Sequence, residues 1–365
     1  MKPKESVVLI FKDDGNEGSN NSARRISEII KSNGGKVTNI FLKKNSAKNV
    51  LYKKYKSIYL NHSRLRKNNP FQTIVSSFFS SWSVYSLFSS LRKRKVVINN
   101  ATLIDLVFLS LISKHETYVF LREVHLPKLF IKAIMFFERN MKLNILSNNL
   151  AIREYYDFLN LKIVNNFVEI PSISINYHEQ VESLRIMSVG AIYPLKNQLK
   201  LLEIAKKLKV LKIPFKIDFY GSVLDSVYYA KLVDYLENNE LEDCINFKGA
   251  VNNEVLLSHY SNYNVYIQTS TSEGMSRSLM DALAIGQYCI ATDVGDTSLL
   301  ISPDKGLLVS KDITDIEQIR ILQKLFDIYS EPSTVKSEVD LGRENIRINF
   351  SSEAVCRQLK HVGLL

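Results

Sequence analysis

The sequence predicts an α/β protein of two domains, each a parallel sheet with helices on both faces. Three observations predict it. Strand-like and helix-like patterns alternate along most of the chain. The rhythm restarts near Leu184 after a polar stretch that carries Pro171. The chain of 365 residues, 45% of them hydrophobic, is long enough for two cores of ordinary size.

In the first half, residues 7–11, 36–41, 57–60, 96–99, 118–121, 144–147 and 162–164 read as strands, being short, rich in β-branched and aromatic residues and bounded by polar turns. Between them, residues 22–31, 103–112 and 150–160 carry apolar residues at helical spacing. Residues 169–182 read as the interdomain linker. In the second half the strands are 185–189, 216–220, 246–249, 265–269, 288–292 and 307–309. Expected boundaries are 1–170 for the first domain, 183–345 for the second and 346–365 for a closing helical segment.

Composition narrows the class. The only apolar run near the start, Val7 to Phe11, is short and flanked by charge, so no signal peptide is expected. No stretch reaches the ~18 apolar residues of a membrane span. Cys244, Cys289 and Cys356 are odd in number and lack ligand-like spacing, which suits free thiols in a reducing cytoplasm. Charge is uneven: residues 1–170 hold 28 Lys and Arg against 12 Asp and Glu, and the remainder 20 against 25. A basic first half attracts phosphate-rich partners, nucleic acid or an anionic membrane. No helix-turn-helix, finger spacing or RNA-binding aromatic signature supports nucleic acid.

The most informative run begins at Thr269. Residues 263–268 alternate into a strand that ends in small polar residues, and Glu273 follows in a loop. Ser276 is a good N-cap for a helix whose apolar stripe is Leu279, Met280, Leu283 and Ala284, and Gly286 is a left-handed stop. One carboxylate, Glu273, thus precedes the helix and a second, Asp281, lies within it. The backbone amides of Gly274, Met275 and Ser276 and the charge of Arg277 stand at the helix start, where anions bind. Acceptors for hydroxyls beside donors for a diphosphate suit a sugar nucleotide.

This run resembles the signature of the retaining glycosyltransferases of family 4, also described as glycosyl transferases group 1: a Glu, seven residues, then a second Glu. Asp281 departs from it by one methylene. Upstream, Met187 to Gln198 resembles the opening of the family's C-terminal domain, where an Arg after the Gly and a later Lys grip the donor pyrophosphate. Lys196 matches the Lys; Ala191 stands where the Arg would be. Further resemblances follow at Phe219-Tyr220-Gly221, from Ile245 to Val251, at Gly306 to Val309 and from Arg347 to Phe350. The resemblance implies a GT-B fold, two Rossmann-like domains facing a central cleft, the first binding the acceptor and the second the nucleotide sugar, with the last helix crossing back to the first. It implies that Glu273 accepts from donor-sugar hydroxyls and Asp281 from ribose, and that Lys196 neutralises the leaving diphosphate. It also implies that a His after the fifth strand, here His125, lines the donor sugar, and that a glycine-bearing loop after the first strand, here reaching Gly18, approaches the donor. No Asp-x-Asp triplet occurs, so no metal and no other cofactor is expected.

One segment of the basic half bears on location. From Phe71 to Leu91 aromatic and aliphatic residues, Trp82 and Phe88 among them, recur at helical spacing, and Arg92, Lys93, Arg94 and Lys95 follow. Such a face suits a helix lying among lipid headgroups, and a core helix would carry the same pattern. The sequence leads to a cytoplasmic glycosyltransferase, peripheral on the inner face of the cell membrane. It would take a UDP- or GDP-sugar to a lipid-linked glycan acceptor of O-antigen or capsule type, binding no nucleic acid. A sugar-nucleotide epimerase of the same architecture, or an inactive glycan-binding relative, is the alternative.

Overall fold

The computed structural model describes residues 6–11, 18–42, 57–59, 85–86, 88–89, 94–122, 126–172, 175, 177 and 181–365. The chain divides into two compact units, Met1–Asn166 with Val355–Leu365, and Phe167–Ala354.

The N-terminal unit is built on a seven-stranded sheet in the order β3-β2-β1-β4-β5-β6-β7. Its strands are β1 Ser6–Phe11, β2 Lys36–Phe41, β3 Ser57–Tyr59, β4 Lys95–Ile98, β5 Glu116–Phe120, β6 Asn144–Ser147 and β7 Leu161–Ile163, and every pairing is parallel. Parallel strands need crossovers, and the described helices supply them: α1 Gly18–Ser32, α2 Ile104–Ile112, α3 Lys128–Met141 and α4 Leu150–Tyr155. Strand order runs outward from β1 in both directions, so the β1/β4 junction is where the connections diverge.

The C-terminal unit has a six-stranded parallel sheet in the order β10-β9-β8-β11-β12-β13. The strands are β8 Leu184–Val189, β9 Phe215–Tyr220, β10 Ile245–Gly249, β11 Val265–Gln268, β12 Tyr288–Thr292 and β13 Leu307–Val309. Helices α5 Gln198–Val210, α6 Ser226–Asn238, α7 Asn253–Tyr260, α8 Arg277–Ile285, α9 Thr297–Leu300, α10 Asp315–Ser330 and α11 Lys336–Asn349 cover it, and α12 Ser352–His361 follows. Successive residues of a strand point to opposite faces, and β11 shows the result. Val265 and Ile267 enter a core with Ile186, Leu201 and Ile321, whereas Tyr266 enters a second core with Met187, Leu279 and Ile346. Side chains of Asn149, Asp225, Asn252, Ser276 and Thr314 accept from first-turn amides and fix where their helices begin.

Four expectations shift. The helix expected over 22–31 begins at Gly18, because Asn20 is buried and hydrogen-bonded to the end of β4. The helix expected to reach residue 160 stops at Tyr155, since the Tyr156 ring turns into the core and its hydroxyl accepts from the Leu126 amide. Tyr177, placed in the linker, is buried in the C-terminal unit, where its hydroxyl donates to the Asn264 carbonyl and accepts from the Tyr288 amide at 2.7 Å. Phe88, placed on a headgroup-facing surface, is fully buried; it packs edge-on against His115 at 5.6 Å and its carbonyl engages His115 Nε2 at 3.0 Å. Of the basic cluster, Arg94 gives its amide to His115 Nδ1, and Lys95 opens β4 opposite Glu116. Trp82, Arg92 and Lys93 lie outside the described residues. Among the described residues no helix is long and apolar enough to cross a membrane.

Candidate functional site

In the C-terminal sheet, the connection from β8 leads away to β9 while β11 flanks β8 on its other side. The carboxyl ends of β8 and β11 therefore form the topological switch point, where open parallel sheets bind ligands. Both chemically telling residues of the sequence leave from these two ends.

After β8 the chain passes Gly190 and Ala191, makes a single 3-10 turn over Pro194–Lys196, and enters α5 through Asn197 in a left-handed conformation with φ 50°. Two features position Lys196. Its side chain runs over Gly190, where a Cβ would stand 3.2 Å from Lys196 Cε. The turn itself is tied to the β11 loop: the Thr271 amide donates to the Leu195 carbonyl at 2.8 Å, and Thr269 Oγ1 to the Asn197 carbonyl at 2.9 Å. Gln198 Nε2 donates to the Ala191 carbonyl at 2.9 Å and holds the intervening loop shut. Gly221 is required beneath it, because a Cβ there would sit 2.0 Å from the Gly190 oxygen.

After β11, Glu273 is fixed from several sides. Lys196 Nζ lies 2.5 Å from Glu273 Oε1, and Ser270 Oγ donates to the same oxygen at 2.7 Å. Ser270 is itself buried, and its carbonyl accepts from Thr292 Oγ1 at 2.5 Å. Gly295, at φ 57°, lets the backbone of Glu273 and Gly274 pass close: a Cβ there would stand 2.3 Å from the Glu273 carbonyl oxygen. The Asp296 amide then donates to the Gly274 carbonyl at 3.0 Å. Among the described residues Oε1 is engaged twice and Oε2 is left to accept from a ligand, and Lys196 keeps two of its three ammonium protons. Side-chain exposures of 21% for Lys196 and 13% for Glu273 leave the pair reachable but poorly screened.

Ser276 caps α8 by accepting from the Leu279 amide at 3.4 Å. No described hydrogen bond uses the backbone N–H of Gly274, Met275 or Ser276, which leaves three donors at the start of a nine-residue helix. Arg277 opens that helix and Asp281 lies one turn on. Burial first, and then the Asp281 charge, raises the pKa of the Tyr260 phenol, while Arg277 opposes it; the two ionic side chains thus share the surroundings of Tyr260. Burial is also the main cause that raises the Tyr266 phenol, with the Glu273 charge adding to it.

The structure brings together Lys196, Glu273 and the amides before α8, and puts Asp281 and Arg277 on the same helix. Gly18 begins α1 in the other unit, and His125 lies outside the described residues. Ser270, Thr292 and Gly295 support Glu273 and were not singled out from sequence. A small polar residue three before the Glu, and a Gly two after Asp293, are the signals that could have found them. Among the described residues no group of three or more His, Cys, Asp or Glu side chains is arranged to hold a metal ion.

Comparison with known proteins follows the same division. Solved structures align over nearly the whole chain. The glycosyltransferase of Rickettsia africae ESF-5 has a TM-score of 0.77 at 15% identity, covering 98% of this chain and 97% of that one. The lipopolysaccharide outer core galactosyltransferase WaaB gives 0.74 at 15%, covering 98% of each. Anabaena Alr3699/HepE, in complex with UDP and glucose, gives 0.71 at 12%, covering 97% of this chain and 98% of that one. The fold is therefore GT-B. Residues 172–335, within the C-terminal unit, match the family model of Glycosyl transferases group 1. The chain is also 31% identical over 134 residues to the GtfA subunit of a UDP-N-acetylglucosamine--peptide N-acetylglucosaminyltransferase of Streptococcus parasanguinis. That match covers 36% of this chain and 26% of the relative's length.

Proposed function

We propose that the chain is a retaining glycosyltransferase that moves a sugar from a UDP- or GDP-sugar to a hydroxyl of a lipid-linked glycan acceptor, in O-antigen or capsule synthesis at the cytoplasmic face of a membrane. The observation that carries this reading is the Lys196–Glu273 pair at the β8/β11 switch point, beside the three amides at the start of α8. Support for the donor comes from the family match and from a neighbour of the same fold that binds UDP and glucose.

In this reading the donor diphosphate takes the remaining Lys196 protons and the α8 amides. A donor-sugar hydroxyl donates to Glu273 Oε2, and ribose hydroxyls to Asp281. The bond from the anomeric carbon to the diphosphate oxygen breaks while the acceptor oxygen bonds to that carbon on the same face. The acceptor proton passes to the departing diphosphate. Lys196 stabilises the charge that grows there, where burial makes one cation count for more than it would in water. Lys196 and the amides occupy the role that a divalent ion plays in enzymes holding one with paired acids.

Incubation with a panel of UDP- and GDP-sugars, with and without a lipid-linked glycan, tests the reading by nucleotide release and product mass. Transfer should need the acceptor and persist in excess EDTA. A new sugar nucleotide formed without acceptor would identify the epimerase instead, and chelation loss restored by magnesium would overturn the metal-independent step.

A further inference from the structure

The carboxyl edge of the N-terminal sheet carries a polar cluster that the donor reading does not use. Asn20 lies in the first turn of α1, Asn99 directly after β4, and Arg122 shortly after β5. Arg122 Nε donates to the Asn99 carbonyl at 2.9 Å and its Nη2 to Asn99 Oδ1 at 2.8 Å; Asn99 Nδ2 in turn donates to Asn20 Oδ1 at 3.4 Å. The guanidinium carbon stands 4.6 Å from the centroid of the Phe120 ring, which is fully buried. Asn20 and Asn99 are each 2% exposed, so the arrangement is rigid as well as polar. It spans the β1/β4 junction, the switch point of this sheet.

Among the described residues Arg122 is a cation without a counter-ion. Among the described residues both of its hydrogen bonds use the Nε–Nη2 edge, its Nη1 makes none, and no carboxylate pairs with it. Burial pushes its pKa down to about 10, which leaves it charged at neutral pH. Desolvating a charge is costly, and a neutral amide could tie the same strand end through the same carbonyl. What the guanidinium adds is a second fork, Nη1–Nη2, of the width that a carboxylate or phosphate accepts.

We propose that Arg122, held in place by Asn99 and Asn20, forms an anion subsite of the N-terminal unit and takes a phosphate or carboxylate group of the acceptor. Only the word acceptor rests on the transferase reading; the subsite itself does not depend on it.

The test is isothermal titration of the full chain with glucose 1-phosphate, glucuronate and glucose, with and without saturating UDP or GDP, whichever binds. The expected result is binding of at least one acid, weakened by salt, with glucose silent; the acid that binds identifies the group. Arg122→Gln should weaken that binding at least about tenfold and Arg122→Lys less, while affinity for the nucleotide that binds, UDP or GDP, which reports the other unit, stays within about twofold. If thermal unfolding shows Arg122→Gln misfolded, the wild-type titration and Arg122→Lys still decide. Failure of the donor reading appears as binding of neither UDP nor GDP. Failure of this proposal appears as neither acid binding the wild type, unchanged binding in Arg122→Gln, or displacement of the acid by UDP or GDP.

Discussion

Ser270 shows how much a single residue contributes to the site. Its hydroxyl and the Lys196 ammonium converge on one oxygen of Glu273, so the carboxylate is oriented before any ligand arrives. Removing a donor aimed at developing charge typically costs 10²–10³ in turnover. Lys196→Ala and Glu273→Gln should therefore each lower kcat by about that factor without unfolding the protein, as steady-state kinetics with circular dichroism would show. Ser270→Ala should be milder, about tenfold in kcat, with Ser270→Thr restoring most of it. Wild-type turnover in both Lys196→Ala and Glu273→Gln would remove the site assignment.

Two elements carry consequences of their own. The turn after β12 approaches the Glu273 loop at Gly295, where φ is 57° and a side chain has no room. Gly295→Ala should lose more than the ~1–2 kcal/mol of the left-handed conformation alone, because the loop must also move. Urea unfolding would measure that loss, and UDP affinity should fall with it. The second element is the segment around His115, between α2 and β5. Burial chiefly lowers the His115 pKa, helped by the Arg94 charge and opposed by the hydrogen bond to Phe88. The neutral ring accepts the Arg94 amide at Nδ1, and protonation there would break that bond. The unfolded chain then binds the proton more readily than the native one, near pH 6.5. The contribution is complete above that pH and is lost as pH falls through the lower native value. Urea midpoints at pH 7.5 and 5.5 should converge more in His115→Asn than in wild type.

At the scale of the molecule, charge is concentrated in residues 1–170, at +16, against −5 in the rest. If the basic half meets an anionic leaflet, each Lys or Arg near the surface adds about 1 kcal/mol, screened by salt. Wild type should then co-sediment with anionic vesicles at low salt. Neutralising Arg92, Lys93, Arg94 and Lys95 together should release it while turnover on a short soluble acceptor is kept. Absence of co-sedimentation in the wild type would remove the membrane part of the proposal.

Much of this was legible in the sequence because it rests on local chemistry. Strands such as Lys36–Phe41, Asn144–Ser147 and Tyr288–Thr292 were predicted to the residue, since apolar runs between turns are a short-range pattern. The Ser276 cap and the Gly286 stop of α8 were legible for the same reason. Position in space was not. That Phe88 belongs to the core depends on His115 standing beside it, 27 residues on. That Glu273 is gripped by Lys196, 77 residues away, depends on β8 and β11 being neighbours. The sequence alone determined the elements, the family resemblance and the residue types of the site. Only the tertiary structure decided which of them meet, because strand order brings together side chains that no local pattern connects.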